Sequence, residues 1–536
     1  MKRSYLLVIA LLFAILLVGC EGSGDSNASG DKKSDSKNQA SEEPVKGGTV
    51  KVAFGADPDT LDWMSTGASP TRDVSWHIFE TLFALDQDFQ AKPMIAEGFE
   101  KSDDEKVYII TLRKDVKFHD GSTVSADDVV ASINRWRTVS SVGTIADEYI
   151  ESVKALDELT VEIKLNEVYN AFISDMTAPK SALMIIPKEI AEAAGEKPLT
   201  PKQYIGTGPY KFESWERGNQ IVLTRFDDYS AREEEDWGGL TGKKVAYFDE
   251  IKFLIVKDPQ VMINGLKTGI YDYAETIPPD LYQVVESDPN IDPVTYINGY
   301  TVTTPDKSEP PFDDLKVRQA LNHALNKEVI AESAYGNKDF YSMDGALFDP
   351  EQTELYSKDG TDDYLSFDQE KAKQLLKESG YDGKPIKIMY SNDTETYKRI
   401  SQIMKQQMEA VGFKVELVPY DWATYLEKWQ DPANWDLVVV GWSTRFSPNE
   451  LGMLIEDTAS SGWYKSKQWE SQLYAWGLAA SSEERKDILT DMNQTVNDEL
   501  PFIKIANETK LDIKSAHIPA YDSWVGQRFW NTWKSE

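Results

Sequence analysis

Apolar and polar positions alternate along Thr49–Phe54 (TVKVAF), with β-branched residues in the apolar slots. That period of two predicts a strand. Further strands are predicted over Val107–Leu112, Thr160–Leu165, Tyr210–Trp215, Gln220–Phe226 and Glu250–Val256. Helical spacing is interleaved with them. Ala126–Arg137 follows Ser125, a good N-cap, and Asp127 and Asp128 suit the positive end of a helix dipole. In the second half, Val317, Ala320, Leu321, Ala324 and Leu325 line one helical face after Phe312-Asp313-Asp314. Ser366 with Gln369 predicts a capping box for a helix ending before Gly380. Lys384–Ser391 reads as a strand. A helix follows, with Ile400, Ile403, Met404, Met408 and Val411 on one face and Gly412 closing it, and then a strand over Phe413–Tyr420. Strand, helix and strand over so short a span make a βαβ unit, which requires a parallel sheet. Trp435–Trp442 (WDLVVVGW) is a continuous apolar run, as a buried strand would be. No fixed-period repeat occurs. The pattern predicts an α/β protein of at least two units, with a ligand cleft at strand carboxyl ends or between the units.

The first residues read differently. Lys2 and Arg3 precede an uninterrupted apolar run from Leu6 to Val18. The run has the length of a signal-peptide core and falls short of the ~20 residues that span a bilayer. Leu17-Val18-Gly19-Cys20 resembles a bacterial lipobox, so residues 1–19 are expected to be removed and Cys20 lipidated. Two or more acyl chains would anchor the protein stably. Residues 21–46 carry almost nothing apolar and read, with Cys20, as a disordered tether over 20–46. A tether this long suits a cell without an outer membrane.

The chain has 536 residues, 57 Lys+Arg and 90 Asp+Glu, a formal net charge of −33. Nucleic acid is excluded as a partner, because phosphate binding needs clustered cations. Cys20 is the single cysteine, so no intramolecular disulfide can form. Catalytic patterns are weak. Gly206-Thr207-Gly208-Pro209 lacks the third glycine of a dinucleotide loop and reads as a tight turn. Gly441-Trp442-Ser443-Thr444-Arg445 lacks the closing glycine of a nucleophile elbow. Ser29-Gly30-Asp31-Lys32 has S-x-x-K spacing but falls in the tether. His77, His119, His323 and His517 are scattered, which argues against a metal site. Glu233-Glu234-Glu235-Asp236 reads as a solvated charge run. No enzyme activity, cofactor or metal is expected. The many aromatics suit either core packing or the walls of a cleft that holds a ligand without chemistry.

Gly47-Gly48-Thr49 with Asp57-Pro58-Asp59-Thr60-Leu61-Asp62 resembles the mature start of family 5 bacterial extracellular solute-binding proteins. Phe79-Glu80-Thr81-Leu82, Leu112-Arg113-Lys114, Val116 to Gly121 and Ala126-Asp127-Asp128-Val129 extend the resemblance. So do Gly206 to Tyr210, Pro311 to Asp314, Val317 to Leu321, Lys371 to Tyr381, Glu499-Leu500-Pro501 and Gly526 to Trp533. It covers residues 47–536. The resemblance implies a two-lobed periplasmic-binding-protein-like fold of type II, in the large class with an extra subdomain. Lobe 1 would comprise 47–300 plus 500–536, with the subdomain at about 96–204, and lobe 2 would comprise 301–499. Two hinge strands would join them, near 299–305 and 495–503. It also implies a monomeric receptor that closes on a ligand and docks on an ABC permease with a separate ATPase. The ligand is most often a peptide; relatives take nickel complexes, glutathione, opines or oligosaccharides.

The resemblance also marks site residues. Trp442 and Ser443 carry over as wall and backbone contacts, with Phe446 beside them. Peptide-binding relatives then place an Asp that holds the peptide ammonium; here Arg445 stands near its place. An arginine repels an ammonium and grips a carboxylate. Arg445 is thus either a carboxylate anchor or one half of a salt bridge. The anchor reading opens an alternative ligand: an acidic small molecule, an opine or a metal–chelate complex. Ser65 and Thr66, in the loop Met64–Ser69, could donate to ligand or serve ordinary turn chemistry. Asn392 is a further candidate after a strand end. His119 and Asp120 are expected to form a turn, and Asp436 to be structural.

Overall fold

The computed structural model describes residues 43–180, 182–455 and 458–535. The expected signal segment, Cys20, the S-x-x-K stretch and the tether up to residue 42 lie outside them.

One eleven-stranded sheet runs through the molecule. Its order is Val415–Tyr420, Ile386–Ser391, Leu437–Trp442, Ile291–Pro305, Ile503–Ser515, Tyr273–Ala274, Thr49–Phe54, Glu250–Ile255, Gln220–Arg225 and Tyr210–Glu216, with Tyr341–Ser342 added on Ile503–Ser515. The expected parallel unit is present: Ile386–Ser391 lies parallel to both Val415–Tyr420 and Leu437–Trp442. Thr49–Phe54 is parallel to Glu250–Ile255 on the other side. The sheet as a whole is mixed, because two long antiparallel strands, Ile291–Pro305 and Ile503–Ser515, divide it. Residues 495–499, expected within a hinge crossing, are instead the last turn of the helix Ser482–Glu499.

One apolar cluster runs across the divide, from Val50 and Phe253 to Trp435 and Val438, and a second is confined to the C-terminal side. Val317, Leu321, Ile330, Ile388, Ile400, Met404, Leu437 and Val439 form the core of the C-terminal side. This follows from the helical faces read in the sequence, since each supplies its stripe to one sheet face. A separate antiparallel sheet, Ala96–Lys101, Val107–Leu112, Thr160–Leu165 and Ile150–Asp157, sits on the N-terminal side. The helix Ala126–Val139 packs against it, and Ser125 and Asp128 form its capping box.

The capping box expected at Ser366 does not form. Asp368 is the cap, accepting from Lys371 N at 2.9 Å, while Ser366 Oγ donates to Asp363 O at 2.8 Å. A carboxylate two residues nearer the helix wins the free N–H groups. His119 does more than turn: its ring bonds Gly206 N and Gly208 O, at 3.3 and 3.0 Å, tying the Phe118–Ser122 turn to the glycine loop. Asp436 Oδ2 accepts from Lys387 N at 2.7 Å, a structural bond between neighbouring strands.

Candidate functional site

The buried strand Leu437–Trp442 ends where Gly299 lets it. Gly299 has φ +87°, and a Cβ there would collide with the Trp442 carbonyl and the Ser443 backbone. The slip in the long strand pair between Ile297 and Tyr300 falls at the same place. A bulge at a sheet's centre re-aims the neighbouring strand end. From there residues 443–450 reach toward the N-terminal side.

A cavity of about 450 Å³ opens at that junction. Gly67, Thr144 and Lys180 line it from the N-terminal side, and Trp442, Arg445 and Glu450 from the C-terminal side. Side chains set the Arg445 segment in position: Gln352 Nε2 donates to the Arg445 carbonyl at 2.6 Å, and Thr444 Oγ1 donates to Asp349 Oδ2 at 3.1 Å. The Arg445 guanidinium lies 5.5 Å from the centre of the Trp442 ring. Trp429 flanks the same ring at 6.0 Å.

The electrostatics are dominated by burial. Desolvation pushes the Lys180 ammonium well below the usual lysine range, and the Arg445 charge adds to the push. Desolvation raises Glu450, opposed by the positive charge of Arg445. Lys180 Nζ donates to Ser443 Oγ, and Phe446 N donates to Glu450 Oε2 at 2.7 Å. Arg445 Nε, Trp442 Nε1 and Glu450 Oε1 are buried without a hydrogen-bond partner.

A second polar cluster joins the two sides beside the cavity. Ser447 Oγ donates to Asp175 Oδ1 at 2.9 Å. Asn449 Nδ2 donates to Tyr169 Oη at 2.8 Å and to Asp175 Oδ2 at 3.0 Å, and Tyr169 also donates to Asp175. Burial lifts the Asp175 carboxyl to about 6 against these bonds.

Of the residues singled out in the sequence, Trp442 and Arg445 line this cavity and Ser443 bonds its lysine. Phe446 turns away, buried against Phe89 and Trp524 at 6.1 Å each. Ser65 Oγ donates to Asp62 O at 3.0 Å, and Thr66 Oγ1 accepts from Ala68 N at 3.2 Å. Both take part in the loop's own turns, Ser65 as donor and Thr66 as acceptor, and the next residue, Gly67, reaches the cavity. Asn392 is exposed, beside a second cavity of about 330 Å³ lined by Asp393, Thr396, Arg399, Thr276 and Lys510. Sequence reasoning missed Lys180, Asn449 and Glu450. The polar run Ser447-Pro448-Asn449-Glu450 directly after a predicted buried strand was a usable signal for two of them. Lys180 carries none, because only the tertiary fold buries it. Among the described residues no three His, Cys, Asp or Glu come together as metal ligands, and no helix is long and apolar enough to cross a membrane.

The chain matches known proteins along most of its length. Residues 90–464 match the family model "Bacterial extracellular solute-binding proteins, family 5 Middle". The "Probable peptide ABC transporter periplasmic-binding protein y4tO" of Sinorhizobium fredii is 29% identical, over 85% of this chain and 88% of its own. Among solved structures, AgaA of A. tumefaciens R10, in complex with agropinic acid, superposes with a TM-score of 0.76 at 23% identity, covering 91% of this chain and 99% of its own. AppA of Bacillus subtilis, in complex with a nonapeptide, gives 0.76 at 21% identity, covering 92% and 100%. The mixed sheet divided by two long strands is thus the two-lobed α/β fold of type II binding proteins, and the cavity beside Trp442 lies between segments from its two sides. The chain belongs to the family 5 bacterial extracellular solute-binding proteins, whose work is to bind a solute rather than to transform one.

Proposed function

We propose that this protein captures a peptide between its lobes and delivers it to an ABC permease driven by a separate ATPase. It acts as a monomer held at the extracellular face of the cell membrane by lipid on Cys20, in a bacterium without an outer membrane. The observation that supports the reading is the cavity at Trp442, which has that aromatic wall and charged groups from both sides of the molecule, Lys180 from one and Arg445 and Glu450 from the other. Closure around a ligand excludes water, so that a few polar contacts become strong. The relative y4tO carries a peptide-transport name, and AppA holds a nonapeptide.

Arg445 favours a second reading, in which the solute is an acidic small molecule, an opine or a metal–chelate complex. Native mass spectrometry of the protein as purified, with the bound species released and identified, separates the two. A family of peptides of varied sequence supports peptide uptake. A single small acidic compound or metal complex supports the second reading and removes the first.

A further inference from the structure

We infer that the cavity beside Trp442 recognises a carboxylate flanked by an N–H, the chemistry of a peptide's C-terminal end or of an N-substituted amino acid. The inference rests on the reading of this cavity as the solute site, and it fixes which end of the solute enters.

Charge gives the first reason. The ionisable residues that line the cavity, among those described, are Lys180, Arg445 and Glu450, two basic groups against one carboxyl. A ligand carboxylate would pair with Arg445 and draw a proton onto Lys180; a ligand ammonium would be repelled by Arg445. Hydrogen bonding gives the second. Arg445 Nε and Trp442 Nε1 are buried donors without partners. Both belong to residues lining the cavity, and an unmet buried donor is costly. An acceptor with two oxygens would meet both. Glu450 meets neither of them in the structure, where its Oε2 takes Phe446 N. Glu450 is itself only 8% exposed, and its Oε1 lacks a partner. That atom calls for one donor from the ligand. A carboxylate with an N–H beside it supplies both halves; a simple alkyl carboxylate supplies one.

Lys180 adds a linkage. Arg72, Lys510 and Arg445 act on it as cations and Glu450 as an anion, and burial holds its ammonium well below the ordinary range. An arriving carboxylate stabilises that ammonium and raises it. Binding is then accompanied by proton uptake, and affinity falls as pH rises.

Four probes test this by calorimetry: trialanine, its N-acetyl derivative, its C-terminal amide, and N-(1-carboxyethyl)alanine. We expect the acetylated tripeptide to bind within about threefold of the free one, and the amide at least ~30-fold more weakly. Arg445→Gln is expected to lower the free acid to the level of the amide. A far-ultraviolet spectrum and a cooperative unfolding transition retained in Arg445→Gln control for folding. Titrations in two buffers of different ionisation enthalpy should show proton uptake, lost in Lys180→Gln. If the carboxyethyl compound binds and loses affinity in Arg445→Gln while no tripeptide binds, the inference stands and peptide uptake falls. If acetylation abolishes binding and amidation is tolerated, the ligand's ammonium is being read and the inference is overturned. Binding by none of the four overturns it as well.

Discussion

Arg135 and Asp62 form an ion pair with 2% and 0% of their side chains exposed. Arg135 Nη2 lies 2.5 Å from Asp62 Oδ2, and the same carboxylate accepts from Leu199 N at 3.0 Å. Met64 N and the Ser65 backbone also close on Asp62, so this pair fixes the start of the loop that brings Gly67 to the cavity. Removing one partner strands a buried charge. Asp62→Ala is expected to destabilise the protein by about 3–5 kcal/mol in urea unfolding. Asp62→Leu with Arg135→Met, which leaves no charge behind, should cost far less; an equal loss would mean that the pair acts only through packing. The residue scale is where sequence reading succeeded least evenly. Trp442 and Arg445 were legible, because a continuous apolar run points at whatever ends it. Ser65 and Thr66 were read as ligand donors or turn formers; both take part in local turns, Ser65 as a donor and Thr66 as an acceptor that keeps its own O–H. Whether a hydroxyl is free depends on a neighbour one to three residues away, which composition does not reveal.

Elements with a period of their own were legible almost to the residue. Thr49–Phe54, Val107–Leu112 and Thr160–Leu165 have the bounds their alternation predicts. The strand Ile291–Pro305 was not read from periodicity, since Pro293, Asn298 and Gly299 interrupt it; only its end, 299–305, was expected, from the family resemblance. It exists because it has Ile503–Ser515 along one edge and Leu437–Trp442 on the other. That long-range pairing overrides local propensity. Gly299→Ala tests its role. The substitution must shift the Trp442 strand end, so solute affinity should fall at least ~10-fold while the far-ultraviolet spectrum is preserved. Unchanged affinity would show that the bulge does not position the site. A different element carries a pH signature. Glu275 follows the short strand Tyr273–Ala274, accepts from Gly55 N at 2.8 Å and contacts Gln527. Burial, aided by the Asp512 charge, raises its carboxyl from 4.5 to about 8. A group raised on folding stabilises the fold fully below its unfolded value and loses that contribution as pH climbs through the folded one. Glu275 therefore subtracts stability between about pH 4.5 and 8. Lys327 and Lys504, lowered by burial to about 7 and 8, act with the opposite sign above those values. The readout is thus the difference between wild type and Glu275→Gln. The variant should gain on wild type by several kcal/mol from pH 5 to pH 8, in order of magnitude. A constant difference would show that Glu275 titrates normally.

The whole molecule is drawn together at the segment 443–450. Lys180 bonds Ser443, Asp175 bonds Ser447 and Asn449, and Phe446 packs on Phe89 and Trp524. Each contact joins the C-terminal side of the sheet to residues from the N-terminal side, so each would be lost if the two moved apart. Such contacts act on solute affinity through closure, in addition to any direct touch by Lys180 and Asn449, which also line the cavity. A ligand's apparent affinity is its intrinsic affinity for the closed form scaled by the fraction of protein already closed. Asn449→Ala removes two of these bonds, to Tyr169 and Asp175, and leaves Asp175 paired with Tyr169 and Ser447. No buried charge is orphaned, so the individual lobes should keep their stability. The lost bonds amount to roughly 1–3 kcal/mol of closure energy, and apparent affinity should fall on the order of 10-fold or more, chiefly through faster release. Small-angle scattering should then show the ligand-free variant more expanded than wild type, with both converging at saturating solute. Equal scattering of the two free proteins, together with weaker binding, would place Asn449 in direct contact with the solute instead of in the closure.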